Sequence, residues 1–239
     1  MRDIKVQDLE FQEPINFFKK LRGLDGLVYL DSAGKDKNLN QYSYIAALPA
    51  LKIHKRKKNI FMDSKIIKNS FFDTVEDLLN NLKIKKIPNL PSFQCGLAGF
   101  ISYESCLEIE NITNVENSNY DFDDIWFGLY DIVFAFDHEL KKTYLFSVNL
   151  DDYQEGTNNL SNIKKLEHLK SLYKLDDVVN KNMDNLNLEW KPYQDKKSYK
   201  DSIEKILEYI KAGDIFQANF THSFTAKNDN LTDNFDTYI

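Results

Sequence analysis

Side chains able to do chemistry are few in this 239-residue chain, and they are scattered. The four histidines, His54, His138, His168 and His222, share no spacing that would gather two of them around a metal or a nucleophile. His168 falls on the polar side of a helical pattern and His138 in a turn, which are surface or structural positions. Cys95 and Cys106 make no metal spacing and no disulfide framework. Cys106 has no base near it in sequence to make it a nucleophile. Asp121-Phe-Asp-Asp124 has the composition of a cation site but reads as a solvated loop before a strand. Lys55-Arg56-Lys57-Lys58 could hold an anion but reads as a basic hairpin turn. There is no GxGxxG, P-loop, HExxH, CxxC or GxSxG. Generic motifs therefore leave the chain an α+β protein without an assigned activity.

The elements that would position these residues come from hydrophobic spacing. Pro14 to Leu21 predicts a short helix with Pro14 in its first turn and Phe17, Phe18 and Leu21 on one face. Strand patterns follow at Gly26 to Leu30, Tyr42 to Leu48, Leu51 to His54 and Asn59 to Met62, the last two as a hairpin. Asp73-Thr-Val-Glu76 resembles a capping box opening a helix whose buried face is Val75, Leu78, Leu79 and Leu82. Cys95 to Tyr103, Phe127 to Phe136 and Thr143 to Val148 predict strands, with Asp137 to Lys142 turning between the last two. Ser161 to Lys174 predicts a helix with Ile163, Leu166, Leu169 and Leu172 inside. A polar stretch, 175–197, reads as a linker or crossing segment. Ser198-Tyr-Lys-Asp201 then caps a helix burying Ile203, Ile206, Leu207 and Ile210, with Gly213 as its C-terminal cap. Ile215 to Phe224 predicts a strand. Asn230 to Ile239 begins like a capped helix and stops within its first turns, so the chain is expected to be truncated.

Composition bounds the rest. Lys plus Arg number 31 and Asp plus Glu 37, a formal net charge of −6, with 42% hydrophobic and 28% charged residues. That is a globular composition with enough apolar material for a core. No apolar run approaches the roughly 18 residues of a membrane span, and the acidic N-terminus is no signal peptide. An acidic balance argues against a nucleic-acid backbone as partner. A cytoplasmic protein that binds small molecules or other proteins is expected.

Four segments carry a more specific signal. They are Leu27-Val-Tyr-Leu-Asp-Ser-Ala33 with Gln41-Tyr-Ser-Tyr-Ile-Ala-Ala-Leu-Pro49; Gly96-Leu-Ala-Gly-Phe-Ile-Ser-Tyr-Glu104; Phe127-Gly-Leu-Tyr-Asp-Ile-Val-Phe-Ala-Phe-Asp-His138; and Tyr209-Ile-Lys-Ala-Gly-Asp-Ile-Phe-Gln-Ala-Asn-Phe220. In that order they resemble the N-terminal half of the chorismate-utilising family that holds anthranilate synthase component I and aminodeoxychorismate synthase component I. The fourth block is the most specific. The resemblance implies an α+β fold: a large, mostly antiparallel, β-sandwich-like sheet system with peripheral helices over 1–175, a crossing segment at 176–197, and the start of a chorismate-binding domain at 198–239.

The same resemblance implies an activity, amination of chorismate to 4-amino-4-deoxychorismate, with ammonia from a glutamine amidotransferase subunit. The run Gln217-Ala-Asn-Phe-Thr221 favours that product over anthranilate. Rivals are anthranilate synthase itself and a non-catalytic tryptophan-binding or subunit-docking module. The catalytic lysine and the glutamates that bind Mg²⁺ are expected beyond Ile239, so no turnover is expected from this chain alone. Gln217 matches a position that is lysine in relatives adding water and glutamine in relatives adding ammonia. A lysine of lowered pKa activates water, whereas a neutral amide only orients and hydrogen-bonds. Asp31, Ser32, Tyr42 and Ser43 match the family's tryptophan pocket, where carboxylate and hydroxyl groups suit an α-ammonium group. Gln41 and Tyr44 depart from the arginine and phenylalanine usual there. Gly213 and Asp214 read as structural.

Overall fold

In a computed structural model the described residues are 1–32, 34, 40–106, 110, 122–153, 160–176 and 189–227. They fall in two compact units, Met1–Val178 and Val179–Ile239. The helix start expected at Asn230 to Ile239 lies outside the described residues, as does Asp121.

The first unit opens with β1 (Arg2–Asp3) and β2 (Lys5–Glu10). The polar sequence of β2 lacks strand alternation because the strand lies at a sheet edge, almost wholly exposed, and needs no buried face. Helix α1 (Pro14–Lys20) starts on Pro14, whose fixed φ suits a first helical turn, and buries Phe17 and Phe18. Then come β3 (Val28–Leu30), β4 (Tyr42–Ala46), β5 (Leu51–Arg56), β6 (Asn59–Met62) and β7 (Lys65–Ile67). The basic turn does join β5 to β6, and Asp124 pins it by accepting the Lys57 N–H at 2.7 Å.

Helix α2 (Phe71–Leu82) begins earlier than Asp73. Ser70 is its N-cap and accepts the Asp73 N–H at 3.1 Å, so the cap lies three residues upstream of the expected one. Its buried face is therefore Phe71, Thr74, Leu78 and Leu82, while Leu79 is 49% exposed. After β8 (Ile84–Lys85) and β9 (Gly96–Ile101), the chain forms β10 (Ile125–Tyr130), β11 (Ile132–Asp137), β12 (Lys142–Ser147) and α3 (Asn162–Tyr173).

Two five-stranded sheets result, ordered β2-β12-β11-β4-β3 and β7-β6-β5-β10-β9, with every neighbouring pair antiparallel. One core cluster takes residues from both sheets and from α2, including Ile53, Phe71, Leu129, Val133 and Phe146. On the first sheet, Phe17 of α1 and Tyr173 of α3 pack against Phe134, with ring centroids 4.6 Å and 5.5 Å away. The mostly antiparallel α+β expectation holds. In β9, a Cβ on Gly99 would lie 1.9 Å from the Trp126 carbonyl oxygen of β10, so only glycine fits the cross-strand contact.

The expected single strand over Phe127 to Phe136 is two strands. Tyr130 still pairs with Gly96 in one sheet, and Ile132 pairs with Ser147 in the other. The switch occurs at Asp131, which is fully buried. Its Oδ1 lies 2.6 Å from Lys165 Nζ, and its Oδ2 accepts from Asn162 Nδ2 at 2.7 Å. Asn162 Nδ2 also donates to the Val148 carbonyl at 2.9 Å, and Lys165 Nζ to the Leu48 carbonyl at 3.3 Å. The buried face of α3 is accordingly Asn162, Lys165, Leu169 and Tyr173. Ile163, expected inside, is 63% exposed. Asn162 and Lys165 take the inward places expected for Ile163 and Leu166, while Leu169 stays inside.

In the second unit, β13 (Lys191–Pro192) pairs with β14 (Phe224–Thr225), and α4 (Lys196–Ala212) lies between them. The α4 cap is Asp195, which accepts the Ser198 N–H at 2.8 Å, rather than Ser198 itself. Gly213 ends the helix at φ 82°, with the Gly213 N–H reaching the Ile210 carbonyl and the Asp214 N–H the Tyr209 carbonyl. The strand expected over Ile215 to Phe224 is absent; regular pairing begins only at Phe224. None of Ile203, Ile206, Leu207 and Ile210 is buried among the described residues.

Removing one member of a buried ion pair strands the other without water, a cost of about 3–5 kcal/mol. Lys165→Met should lower unfolding free energy by about that amount in urea titration, and the double variant Lys165→Met/Asp131→Asn should lose less than Lys165→Met alone. Burial, aided by the charge of Asp131, pushes the Cys95 thiol up to about 12. Less than about one thiol in a thousand is then ionised at pH 8.5, so Cys95 should resist iodoacetamide in the folded chain and react once unfolded, as read by mass spectrometry.

Candidate functional site

The antiparallel pairing of β3 with β4 sets Leu30 opposite Tyr44, so Asp31 and Ser32 leave β3 beside Tyr42 and Ser43. Four hydrogen bonds then fix the arrangement. Tyr29 Oη donates to Asp31 Oδ1 at 2.8 Å, and the Ser32 N–H donates to Ser43 Oγ at 3.0 Å. Ser32 Oγ donates to the Tyr42 carbonyl, and Ser43 Oγ lies 2.7 Å from His138 Nε2. Ser43 is fully buried, Ser32 and Tyr42 are half-buried, and Asp31 is exposed. The four residues nominated from sequence thus lie together at the shared end of β3 and β4.

His138 is the member that sequence reasoning left as a turn residue. It follows the last ladder pair, Asp137 with Tyr42, and its N–H donates to the Gln41 carbonyl at 2.9 Å. Its ring meets the edge of Phe11 at a centroid distance of 6.2 Å. Asp137 shapes the turn by accepting the Glu139 and Leu140 N–H groups on Oδ1. The only sequence signal for His138 was its place at the end of the third block. Burial, reinforced by the Asp137 carboxylate on the neighbouring strand, pushes the Tyr42 phenol above its ordinary value, so it is a neutral hydrogen-bonding group. Chemically the cluster offers a carboxylate and hydroxyls on a strand frame, groups that hold an ammonium rather than attack a carbonyl. Ser43 next to His138 is too deeply enclosed to act as a nucleophile.

Gln217 sits elsewhere, in the second unit, four residues beyond Gly213 in an irregular exposed stretch beside Phe216. Asp214 contributes through its backbone N–H to the end of α4. Among the described residues no three His, Cys, Asp or Glu come together as a metal set, so they offer no fit for Mg²⁺. No helix among them is long and apolar enough to cross a membrane. A cavity of about 580 Å³ in the first unit is lined by Leu9, Phe11, Gln12, Lys20, Tyr173 and Leu175 among others, and contains none of the nominated residues.

Comparisons with known proteins cover both units. A family model for chorismate binding enzymes matches residues 27–239. Anthranilate synthase component 1 of Acetivibrio thermocellus is 23% identical over 223 residues, which is 87% of this chain and 44% of that protein. Anthranilate synthase component 1 of Methanothermobacter marburgensis is 30% identical over 217 residues, 90% of this chain and 42% of that one. Aminodeoxychorismate synthase component 1 of Bacillus subtilis is 28% identical over 156 residues, 64% of this chain and 31% of that one. The chain thus matches less than half the length of these relatives. In fold it is similar to the crystal structure of anthranilate synthase component I from Streptococcus pneumoniae TIGR4, with a TM-score of 0.64 and 20% identity, covering 95% of this chain and 49% of that one.

Ser43→Ala removes the acceptor of the half-buried Ser32 N–H and the neighbour of His138 in one step. Leaving such groups unpaired costs about 1–3 kcal/mol, and urea titration of the variant should show a loss in that range without a change in slope.

Proposed function

We propose, on the premise that the chain belongs to the chorismate binding enzyme family, that it is part of a cytoplasmic synthase component that aminates chorismate. The ammonia would come from a glutamine amidotransferase subunit. The product proposed is 4-amino-4-deoxychorismate; relatives bearing the anthranilate synthase name support the other product equally. The observation that carries the reading is Gln217, in the run that continues from the glycine-capped end of α4. A carboxamide has no proton to take up at neutral pH, so it cannot serve as a base for water. It can donate through NH₂ and accept through its carbonyl, which suits it to orient a substrate while ammonia, already nucleophilic, attacks. Mg²⁺ would be held by glutamates beyond Ile239, where it would neutralise carboxylate charge on the substrate. No group of this chain is assigned to it.

The cluster of Asp31, Ser32, Tyr42 and Ser43 supports a second element of the reading, a regulatory α-amino acid site with tryptophan as the expected ligand. What favours it is the pairing of an exposed carboxylate with hydroxyls held in place by strand-to-strand hydrogen bonds. The third possibility, a purely non-catalytic binding or docking module, would keep this cluster and make no use of Gln217.

Three measurements test the reading. In a synthase containing this chain together with the lysine- and metal-bearing part, Gln217→Lys should divert product from aminated chorismate to an isomer of chorismate, since water then replaces one ring hydroxyl with another, and chromatography resolves that isomer from the substrate of equal mass. Unchanged amination without any such isomer would reject the role given to Gln217. Wild-type product identity separates the rivals, because anthranilate formation releases pyruvate and aminodeoxychorismate formation does not. For the amino acid site, equilibrium dialysis should find labelled tryptophan bound, with Asp31→Asn weakening it at least tenfold; no binding at millimolar ligand would end that element.

A further inference from the structure

We infer that His138 is a positioning residue that acts through Ser43 to hold the Asp31–Ser32 segment in its binding geometry. The regulatory part of this inference rests on the amino acid site proposed above; the positional part does not.

The argument begins with a buried hydroxyl. Ser43 Oγ, fully enclosed, accepts the Ser32 N–H at 3.0 Å. A serine hydroxyl also carries one proton that needs an acceptor, and burial denies it water. The described geometry offers His138 Nε2 at 2.7 Å. In this reading Ser43 Oγ donates to Nε2, which accepts through its lone pair while the ring's own proton sits on Nδ1. The orientation of the hydroxyl is then no longer free. Its lone pairs face the Ser32 amide because its O–H faces the ring.

The ring is fixed in turn. The His138 N–H is tied to the Gln41 carbonyl at 2.9 Å, and its ring packs edge-on against Phe11, which also meets Phe136 at 6.5 Å. His138 therefore bridges the end of β11 to both Gln41 and Ser43. A chain of contacts runs from Phe11 through His138 and Ser43 to the Ser32 amide. Ser32 closes it by donating its own hydroxyl proton to the Tyr42 carbonyl. The contacts of His138 run to Gln41, Ser43 and Phe11, so its effect on a ligand at Asp31 is one of placement.

The test uses the full chain and three forms: wild type, His138→Ala and His138→Gln. Glutamine can offer its carbonyl oxygen to the Ser43 proton, whereas alanine offers nothing. The first readout is amide hydrogen exchange resolved at Ser32. His138→Ala should speed exchange at Ser32 roughly tenfold, the loss of about one hydrogen bond's worth of protection. Core amides at Phe134 and Phe146 should hold their rates, and His138→Gln should recover most of the protection. Unchanged exchange at Ser32 in His138→Ala overturns the inference. So does a parallel rise at Phe134 and Phe146, which would mark a general loss of stability, or a failure of glutamine to restore Ser32. The second readout is tryptophan affinity by equilibrium dialysis. If wild type binds, the dissociation constant should rise roughly tenfold in His138→Ala and return towards wild type in His138→Gln; an unaltered constant overturns the regulatory part. If wild type binds nothing at millimolar tryptophan, the amino acid site is rejected along with the regulatory part. The exchange experiment alone then decides the role of His138 in positioning Ser32.

Discussion

The carboxylate of Asp131 is the constraint on which the first unit turns. A run of apolar residues, Ile125 to Phe136, would otherwise continue as one strand in one sheet. Instead the chain leaves one sheet at Tyr130 and enters the other at Ile132, with a fully buried acid at the step. A lone carboxylate there would be costly, because desolvation disfavours its charge. Lys165 and Asn162 answer both oxygens, and since both lie on α3, the requirement also determines which face of that helix points inward. Lys165 further reaches Leu48, in the loop between β4 and β5. One charge therefore couples the sheet switch, the orientation of α3 and the path between sheets. Hydrophobic burial supplies the bulk of the driving force, but it is non-directional; the ion pair selects among packings that would bury similar apolar area.

The cluster around Ser43 repeats that logic at smaller scale. A buried hydroxyl has to be satisfied twice, once as acceptor and once as donor. The two partners, Ser32 and His138, come from segments far apart in sequence. The outcome is a frame in which the polar groups nearest the core hold one another and the carboxylate of Asp31 is presented outward. Rigid presentation is what a small binding site needs, since each group held in advance is ordering that a ligand need not supply.

Much of this was legible from residue order. Periodicity located α1, α2, α3 and α4 and most strands because an apolar repeat runs through each of them, although α4 buries none of its repeat and α3 buries only Leu169 of its own. The failures have physical causes. β2 carries no alternation because both its faces are largely solvated at an edge. The inward face of α3 was misjudged because periodicity counts apolar residues, and Lys165 is charged; only its partner Asp131, 34 residues away in sequence, makes it an inside residue. The caps of α2 and α4 slipped by three residues because Ser70 and Asp195 compete with Asp73 and Ser198, and each pair fits the same local rule. At the site, the motif placed Asp31, Ser32, Tyr42 and Ser43 in one neighbourhood. His138 escaped notice because histidine in a turn has no sequence signature of a long-range partner.

The two units divide the chemistry of the chain. In the first, the nominated residues are strand-bound and mutually hydrogen-bonded, and His138 and Ser43 face inward. That arrangement can hold and orient a ligand, with the Asp31 carboxylate as its exposed charge. In the second, the nominated group is a neutral amide on an exposed stretch just after a glycine-capped helix. An amide in that position acquires a catalytic meaning only from what surrounds it, since alone it neither donates nor removes a proton at neutral pH. The family model spans both units, 27–239, and in the proposed reading the first holds a ligand while the second reacts. The distinction follows from electrostatics: satisfied polar groups make a stable receptor, whereas a reacting site must keep its polar groups available to the substrate.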